Sequence, residues 1–486
     1  MPKIAMIGAG SLVFCQTLSN DILSTPALQD SEICLMNRTR PKLDKMTRFL
    51  KDVVKQNNLP TKITSTLNRR EALKGADYVV LMIQVGGVDA FEHDYKIPLK
   101  YGVDQCIGDS LGPGGIFRVL RSLPVLLDIA KDMEKLCPNA IMLNYVNPMG
   151  AVCCGLGRGT TVQFVGLCHG VQTTLDLIGG YVGLPKDRLD FVAAGINHMA
   201  WFLELKDKKT GKDLYPKFKR NCEKPEYYIN EKVRIEVMRH FGYFMTESTG
   251  HLSEYIPWFR SSKRALAEYC DEPGFGGASG AYYYYCEMIA KKYANVDYLA
   301  SEDRALKPRS AEYCSYILEA KETGVPFKLN GNVRNDGYIT NLPDGCCVEV
   351  PVFVDKAGLQ PVRVGDLPPQ CAALNQSNVT VQSLAVEAAM TGNPEYVMQA
   401  IAMDPLTSAV CTLREVREMT TEMLAAESKW LPQFKGKKLA AKPSVKITKK
   451  TKHAEVPLDP ALAIANRFGE LAQSKFPKKK AKKRKA

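Results

Sequence analysis

The stretch from Lys3 to Phe14, KIAMIGAGSLVF, constrains the fold more than any other part of the chain. It runs from an apolar strand directly into a glycine turn that opens a helix. Gly8 permits the tight turn and Gly10 lets the backbone approach a pyrophosphate. The helix N-terminus that begins at Ser11 offers amide donors and positive potential to phosphates. Val13 stands where a third glycine is usual. An ordinary βα turn is the alternative reading, but a position at the head of an α/β run favours a dinucleotide site. The next strand ends in Met36-Asn37-Arg38, where an acid normally binds the ribose hydroxyls. Asn37 still hydrogen-bonds a ribose hydroxyl without repelling a 2′-phosphate, and Arg38 attracts one. NAD is the first expectation, because the glycine turn itself does not discriminate.

The rhythm that follows is that of a doubly wound parallel sheet. Strands are expected over residues 4–7 and 33–36, and helices over 12–23 and, from the spacing of Leu43, Met46, Phe49, Leu50, Val53 and Val54, over the forties and fifties. YVVLMI, residues 78–83, is a continuous apolar run, as in a strand buried on both faces. A helix over about 117–136 precedes strands at 140–143 and 163–167. Ligands are then expected at the carboxyl ends of the strands. After about residue 195 the pattern changes to long loops, the tyrosine cluster 282–285, a strand-rich stretch at 346–354 and a mostly helical section over 381–430. With 486 residues, 45% of them apolar, the chain can bury a large core. The expected division is a nucleotide-binding domain over 1–194, a catalytic and oligomerisation domain over 195–434, and a basic, disordered tail over 435–486.

The formal charge of +13 belongs to that tail. Residues 435–486 hold 17 Lys/Arg against three acidic residues, leaving 48 basic and 49 acidic residues in the body. Basicity therefore carries no information about the substrate. The tail is expected to solubilise the chain or to bind polyanions weakly. No run approaches the roughly 20 apolar residues of a membrane span. Fifteen cysteines in a long chain without a leader fit reduced thiols, and the expected location is cytoplasmic.

Two short polar insertions in apolar surroundings, Cys168-His169-Gly170 and Asn197-His198, supply a thiolate and an imidazole, a soft pair suited to a divalent transition ion. Singly, each has another reading: a buried cysteine as core filling, a histidine as a satisfied polar group. Spacing alone does not decide. Tyr255 lies in HLSEYIPWF, unlike a core strand. It can act as a base only where a cation lowers its pKa of ~10. The competing reading is a surface tyrosine packed on Trp258. A nucleotide and a metal together point to redox chemistry on an alcohol carbon.

Several blocks together resemble glycoside hydrolase family 4, the NAD- and divalent-metal-dependent glycosidases, and within it the melibiase type of α-galactosidase. They are IGAGS (7–11), LGPGGIFR (111–118), NYVNPM (144–149), VGLCH (165–169), AGINHMA (194–200), EYIPWF (254–259), GNVRNDG (331–337) and NLPDGCCVEV (341–350). The resemblance covers roughly residues 1–432. It implies a lactate/malate dehydrogenase-like α/β fold, with an N-terminal Rossmann domain and a C-terminal α/β substrate domain, assembled as a homodimer or homotetramer. It implies that NAD takes hydride from C3 of the sugar and that Mn2+, held by Cys168 and His198, acidifies the C2 proton. Tyr255 matches the base for that proton. Elimination at C1, addition of water and return of the hydride complete the cycle. Asn147 matches a sugar-hydroxyl ligand and Asp109 an acidic substrate contact, while His169 fits an acid for the leaving group. Asn37, where the family usually has Asp, and the basic tail are departures.

The expected activity is hydrolysis of α-galactosides such as melibiose. The alternatives are an α-glucosidase or an α-glucuronidase/galacturonidase of the same family, and, from another class, a catalytically silent NAD-sensing regulator with a polyanion-binding tail.

Overall fold

The computed structural model describes residues 1–294, 298–442, 445–452, 454, 456–457 and 459–461. Residues Met1–Leu439 form one compact unit and Ala440–Ala486 a second. The lysine-rich end expected to be disordered, 477–485, lies outside the described residues.

The compact unit is built on one sheet of eleven strands. Six are parallel: β1 (Lys3–Ile7), β2 (Glu32–Met36), β3 (Lys62–Thr66), β4 (Tyr78–Leu81), β5 (Ile141–Asn144) and β6 (Phe164–Gly166). They lie in the order β3-β2-β1-β4-β5-β6. Burial on both faces explains the apolar runs of five of them, as in β1, where Ile4 and Met6 enter one core and Ala5 and Ile7 the other. The sixth, β3, a polar edge strand with only Ile63 buried, was not expected from the sequence. Helix α1 (Leu12–Leu23) follows β1, and α2 (Arg40–Gln56) follows β2. The buried residues of α2, Leu43, Met46, Phe49, Leu50 and Val53, recur at the spacing of one helical face.

Beyond β6 the sheet continues antiparallel through β9 (Phe327–Arg334), β10 (Cys347–Asp355), β7 (Leu189–Ile196) and β8 (Met199–Asp207), with β11 (Gly358–Pro361) on β10. The section after residue 195 therefore contributes four strands, β8 to β11, to the same sheet, with β10 in the stretch expected to be strand-rich. The expected division at residue 194 falls inside β7. In the section expected to be mostly helical, Pro369–Thr391 and Leu413–Ala426 are the longest helices. The fold is α/β, as expected. Among the described residues, no helix is long and apolar enough to cross a membrane.

Candidate active site at the carboxyl edge of the sheet

The loops beyond the parallel strands carry most of the expected site residues. At the end of β1, Gly8 has φ +96°, and a Cβ there would meet the Met82 carbonyl oxygen at 2.7 Å. Gly10 packs under Asn37, whose Nδ2 would lie 2.7 Å from an added Cβ. Gly8 requires glycine for the turn to close, whereas a side chain at Gly10 would have to displace the Asn37 amide. The Gly8 and Ala9 amides donate to the Met36 carbonyl, tying the turn to the end of β2. Ser11 caps α1 in an extended conformation with no side-chain hydrogen bond to the helix amides. The helix start thus keeps donors for a phosphate, which fits a dinucleotide. Asn37 donates to the Thr39 carbonyl at 3.1 Å, and Arg38 is exposed.

Cys168 stands two residues past β6. His198 stands in the two-residue turn joining β7 to β8, where Ile196 pairs with Met199. The chain brings these two together and adds Glu247, so that ligand atoms of all three lie within 4.8 Å of one another. The Cys168 sulfur is 3.4 Å from Glu247 Oε2, and His198 Nε2 is 3.7 Å from the same oxygen. Three donors bound at about 2.0–2.3 Å to one ion have such mutual spacings. A sulfur, a nitrogen and an oxygen suit a divalent transition ion. Glu247 has φ +85°, a left-handed conformation costing a residue with a Cβ about 1–3 kcal/mol.

Electrostatics suit a cation here. Burial and the neighbouring His251 bring the His198 imidazole down to about 4, so the ring is neutral near pH 7, as a ligand must be. Burial opposes ionisation of Glu247, yet the surrounding imidazoles hold its carboxyl well below the usual range. Burial, together with the Glu247 and Glu349 carboxylates, pushes the Cys168 thiol up.

Tyr255 ends the buried helix Thr249–Tyr255 and is only 3% exposed, so it is no surface residue. Half-exposed Trp258 instead packs on Phe241, with ring centroids 5.5 Å apart. The Tyr255 hydroxyl lies 3.1 Å from His198 Nδ1. Burial raises its pKa well above the usual value. Asp109, also buried, accepts from Ser110 Oγ at 2.6 Å and from Asn147 Nδ2 at 3.2 Å. Arg118 Nη1 lies 3.3 Å from Oδ2, the oxygen that Asn147 also meets, and, against the effect of burial, its charge keeps the carboxyl ionised below its usual range. His169 lies towards solvent, its ring half exposed and paired with Glu312 at 3.2 Å, which raises its pKa.

Three carboxylates escaped sequence reasoning. Glu247 lies in Thr246-Glu247-Ser248-Thr249, a polar insertion of the same kind as the two that were recognised. Glu254, beside Tyr255, accepts from the amides of Cys106, Ile107 and Gly108 at 2.8, 3.0 and 3.0 Å, anchoring the loop that leads to Asp109. Glu349 sits inside β10 opposite Gly195 and Asn332, and burial plus the Glu247 carboxylate push its pKa up to about 8. The alternating strand pattern around it carries no sign of this role.

Comparison with known proteins shows the family. Residues 3–184 match the model of the family 4 glycosyl hydrolases, and residues 193–407 match the C-terminal domain of that family. An α-galactosidase of Rhizobium meliloti (strain 1021) is 41% identical over 442 residues, covering 89% of each chain. An α-galactosidase of Bacillus subtilis (strain 168) is 40% identical over 438 residues, 90% of this chain and all of the relative. The fold is that of the 6-phospho-β-glucosidase of Thermotoga maritima, solved with manganese, NAD+ and glucose-6-phosphate. The TM-score is 0.73 at 20% identity, over 88% of this chain and 99% of that one. The chain belongs to family 4 of the glycosyl hydrolases.

Proposed function

We propose that this enzyme hydrolyses α-galactosides by oxidation, elimination, addition and reduction, using NAD and a divalent ion, Mn2+ first among the candidates. The observation that carries the reading is the Cys168–His198–Glu247 cluster with Tyr255 hydrogen-bonded to its histidine. It stands at the carboxyl edge of a dinucleotide-type sheet, in a chain 40–41% identical to α-galactosidases. A bound nicotinamide supplies the hydride acceptor and donor for C3 of the sugar. A divalent ion supplies Lewis acidity where Cys168, His198 and Glu247 converge.

The chain's own residues handle the protons. With His198 Nε2 given to a ligand role, its ring proton sits on Nδ1, and that N–H donates to the Tyr255 oxygen. This hydrogen bond, together with the charge of an ion held by Cys168, His198 and Glu247, would favour the phenolate against the burial that opposes it. The phenolate would take the proton from C2. Asp109, held by Ser110, Asn147 and Arg118, accepts from sugar hydroxyls, and Asn147 contributes a polar contact beside it. His169 protonates the leaving oxygen, its imidazolium supported by Glu312. Gly8, Gly10 and Ser11 receive the pyrophosphate, and Asn37 the ribose. A cytoplasmic location fits the fifteen unpaired cysteines, and a homo-oligomer fits the exposed Phe275, Tyr284, Tyr285 and Met288.

The test is turnover of aryl α-galactosides in D2O, alongside α-glucosides and α-galacturonides. The expected result is deuterium at C2 of released galactose, with activity lost on removing either nucleotide or metal and restored by both. Tyr255→Phe should lower the rate by ~10²–10⁴, the range for a lost general base. An unlabelled C2 would overturn the redox mechanism. Exchange with an undiminished Tyr255→Phe rate would reassign the base.

A further inference from the structure

We propose that the dinucleotide site accommodates a 2′-phosphate, through Arg38, Arg40 and the first turn of α2, and binds NADP(H) at least as tightly as NAD(H). The proposal rests on the dinucleotide reading of the Gly8–Ser11 turn and goes beyond it to the identity of the cofactor.

In a sheet of this order, the adenosine ribose lies where the turn after β1 meets the end of β2. The structure brings these two segments together: the Gly8 and Ala9 amides bond to the Met36 carbonyl, and the Asn37 side chain covers Gly10. A carboxylate at residue 37 would accept both ribose hydroxyls and repel a phosphate at the 2′ position. Residue 37 is instead a neutral amide, its Nδ2 occupied by the Thr39 carbonyl at 3.1 Å. No charge at the ribose position opposes a phosphate.

The following residues supply attraction. Arg38, Thr39, Arg40, Pro41 and Lys42 include three cations and no acid. Arg38 and Arg40 are exposed, and neither has an ion pair or hydrogen-bond partner among the described residues. Helix α2 begins at Arg40. Its Ncap, Thr39, makes no side-chain bond to the first amides, and its first turn holds no acidic residue. A guanidinium fork beside the Arg40 and Lys42 amides, the two donors that Pro41 leaves in the first turn, matches a phosphate in charge and geometry. Glu71, beyond the end of neighbouring β3, has its carboxylate oxygens engaged by Thr66 at 2.5 Å and Asn68 at 3.2 Å.

The experiment is equilibrium titration of the full chain, stripped of nucleotide and without sugar or metal, with NADPH and NADH, followed by the fluorescence of the reduced nicotinamide. NADPH should bind as tightly as NADH or more tightly, with the steeper loss of affinity as salt rises. Arg38→Ala should weaken NADPH by about 10- to 100-fold, the worth of a lost charge-assisted hydrogen bond, and NADH by less than about threefold. Arg38→Lys should restore part of that loss, and Asn37→Asp should reverse the preference. Melting curves identify any variant that fails to fold. Tighter binding of NADH than of NADPH, or equal weakening of both by Arg38→Ala, would overturn the proposal. Failure of both nucleotides to bind would remove the dinucleotide reading itself.

Discussion

A thiol enclosed by carboxylates is a poor thiolate, and Cys168 is placed in that position: burial, Glu247 and Glu349 all favour its neutral form. A divalent cation reverses the balance, since the thiolate is the ligand form. Cys168→Ser should therefore lower Mn2+ affinity at least about tenfold, the scale seen when a metal site loses a supporting group. Dinucleotide affinity should be unchanged, because the Gly8–Ser11 turn lies on other elements. Unaltered metal content in the purified variant would refute the ligand assignment. At this scale the sequence was readable where polarity interrupts an apolar run, as at Cys168 and His198. It was silent at Glu349, whose neighbours Gly195 and Asn332 come from strands placed beside it only by the finished sheet.

The elements around the site are joined by buried carboxylates at helix and loop ends. Glu254 ties the helix that carries Tyr255 to the 106–108 loop through three amides. Glu254→Gln retains one acceptor oxygen and turns an NH2 group towards these donors. It leaves at least one buried N–H unpaired, at a cost of about 1–3 kcal/mol. Turnover should fall and the melting temperature drop, while NADH affinity persists. Undiminished turnover in a folded variant would show that the anchor does not matter to the site. Asp404 caps the helix Pro405–Val410, accepting from the Thr407 amide at 2.8 Å and its hydroxyl at 2.7 Å. Burial raises its pKa from 3.8 to about 6 despite those bonds. The folded state then holds this proton more tightly than the unfolded state. Stability from this group is complete below about pH 4, declines as pH rises to about 6, and is level above. Asp404→Asn keeps a capping oxygen and has no proton to lose. The stability difference, wild type minus variant, should fall by up to ~3 kcal/mol between pH 4 and 6.5. A difference independent of pH would sink this assignment. Five of the six parallel strands were legible because doubly covered strands are apolar throughout; β3, KITST, was missed because it is a polar strand with only Ile63 buried. Of the antiparallel strands, β10 was legible as the strand-rich stretch at 346–354, while β9 was obscured, because Asn330 and Asn332 place buried polar groups within its run.

At the scale of the whole molecule, the glycine turn and the apolar runs foretold a doubly wound parallel half and five of its six strands, and the structure supplies the order β3-β2-β1-β4-β5-β6. The antiparallel half joins β6 to β9 across more than 150 residues of chain, a pairing that no local pattern announces. The C-terminal limit of the body is set by similar long-range contacts. Glu427 meets the buried Arg121–Asp94 pair at 2.5 Å, Gln433 donates to the Leu120 carbonyl at 2.7 Å, and Phe434 is buried. Lys437 still reaches the Thr391 carbonyl at 3.2 Å. The compact unit ends at Leu439, a few residues past the expected boundary. Residues 440–486 carry 14 Lys/Arg against three acidic residues. A chain ended after Leu439 should therefore keep its melting temperature and its turnover, and lose any affinity for heparin that weakens with salt. A chain ended after Ala426 should fare otherwise. It strips Arg121 of a buried carboxylate partner and uncovers the surface under Phe434, a change worth several kcal/mol by the usual cost of breaking a buried ion pair. Thermal melts of the two truncations, run beside the full chain, separate these expectations. A large loss of turnover in the longer truncation would assign the tail a part in catalysis, and an unchanged melt in the shorter one would show that the contacts at Glu427 and Phe434 do not hold the body together.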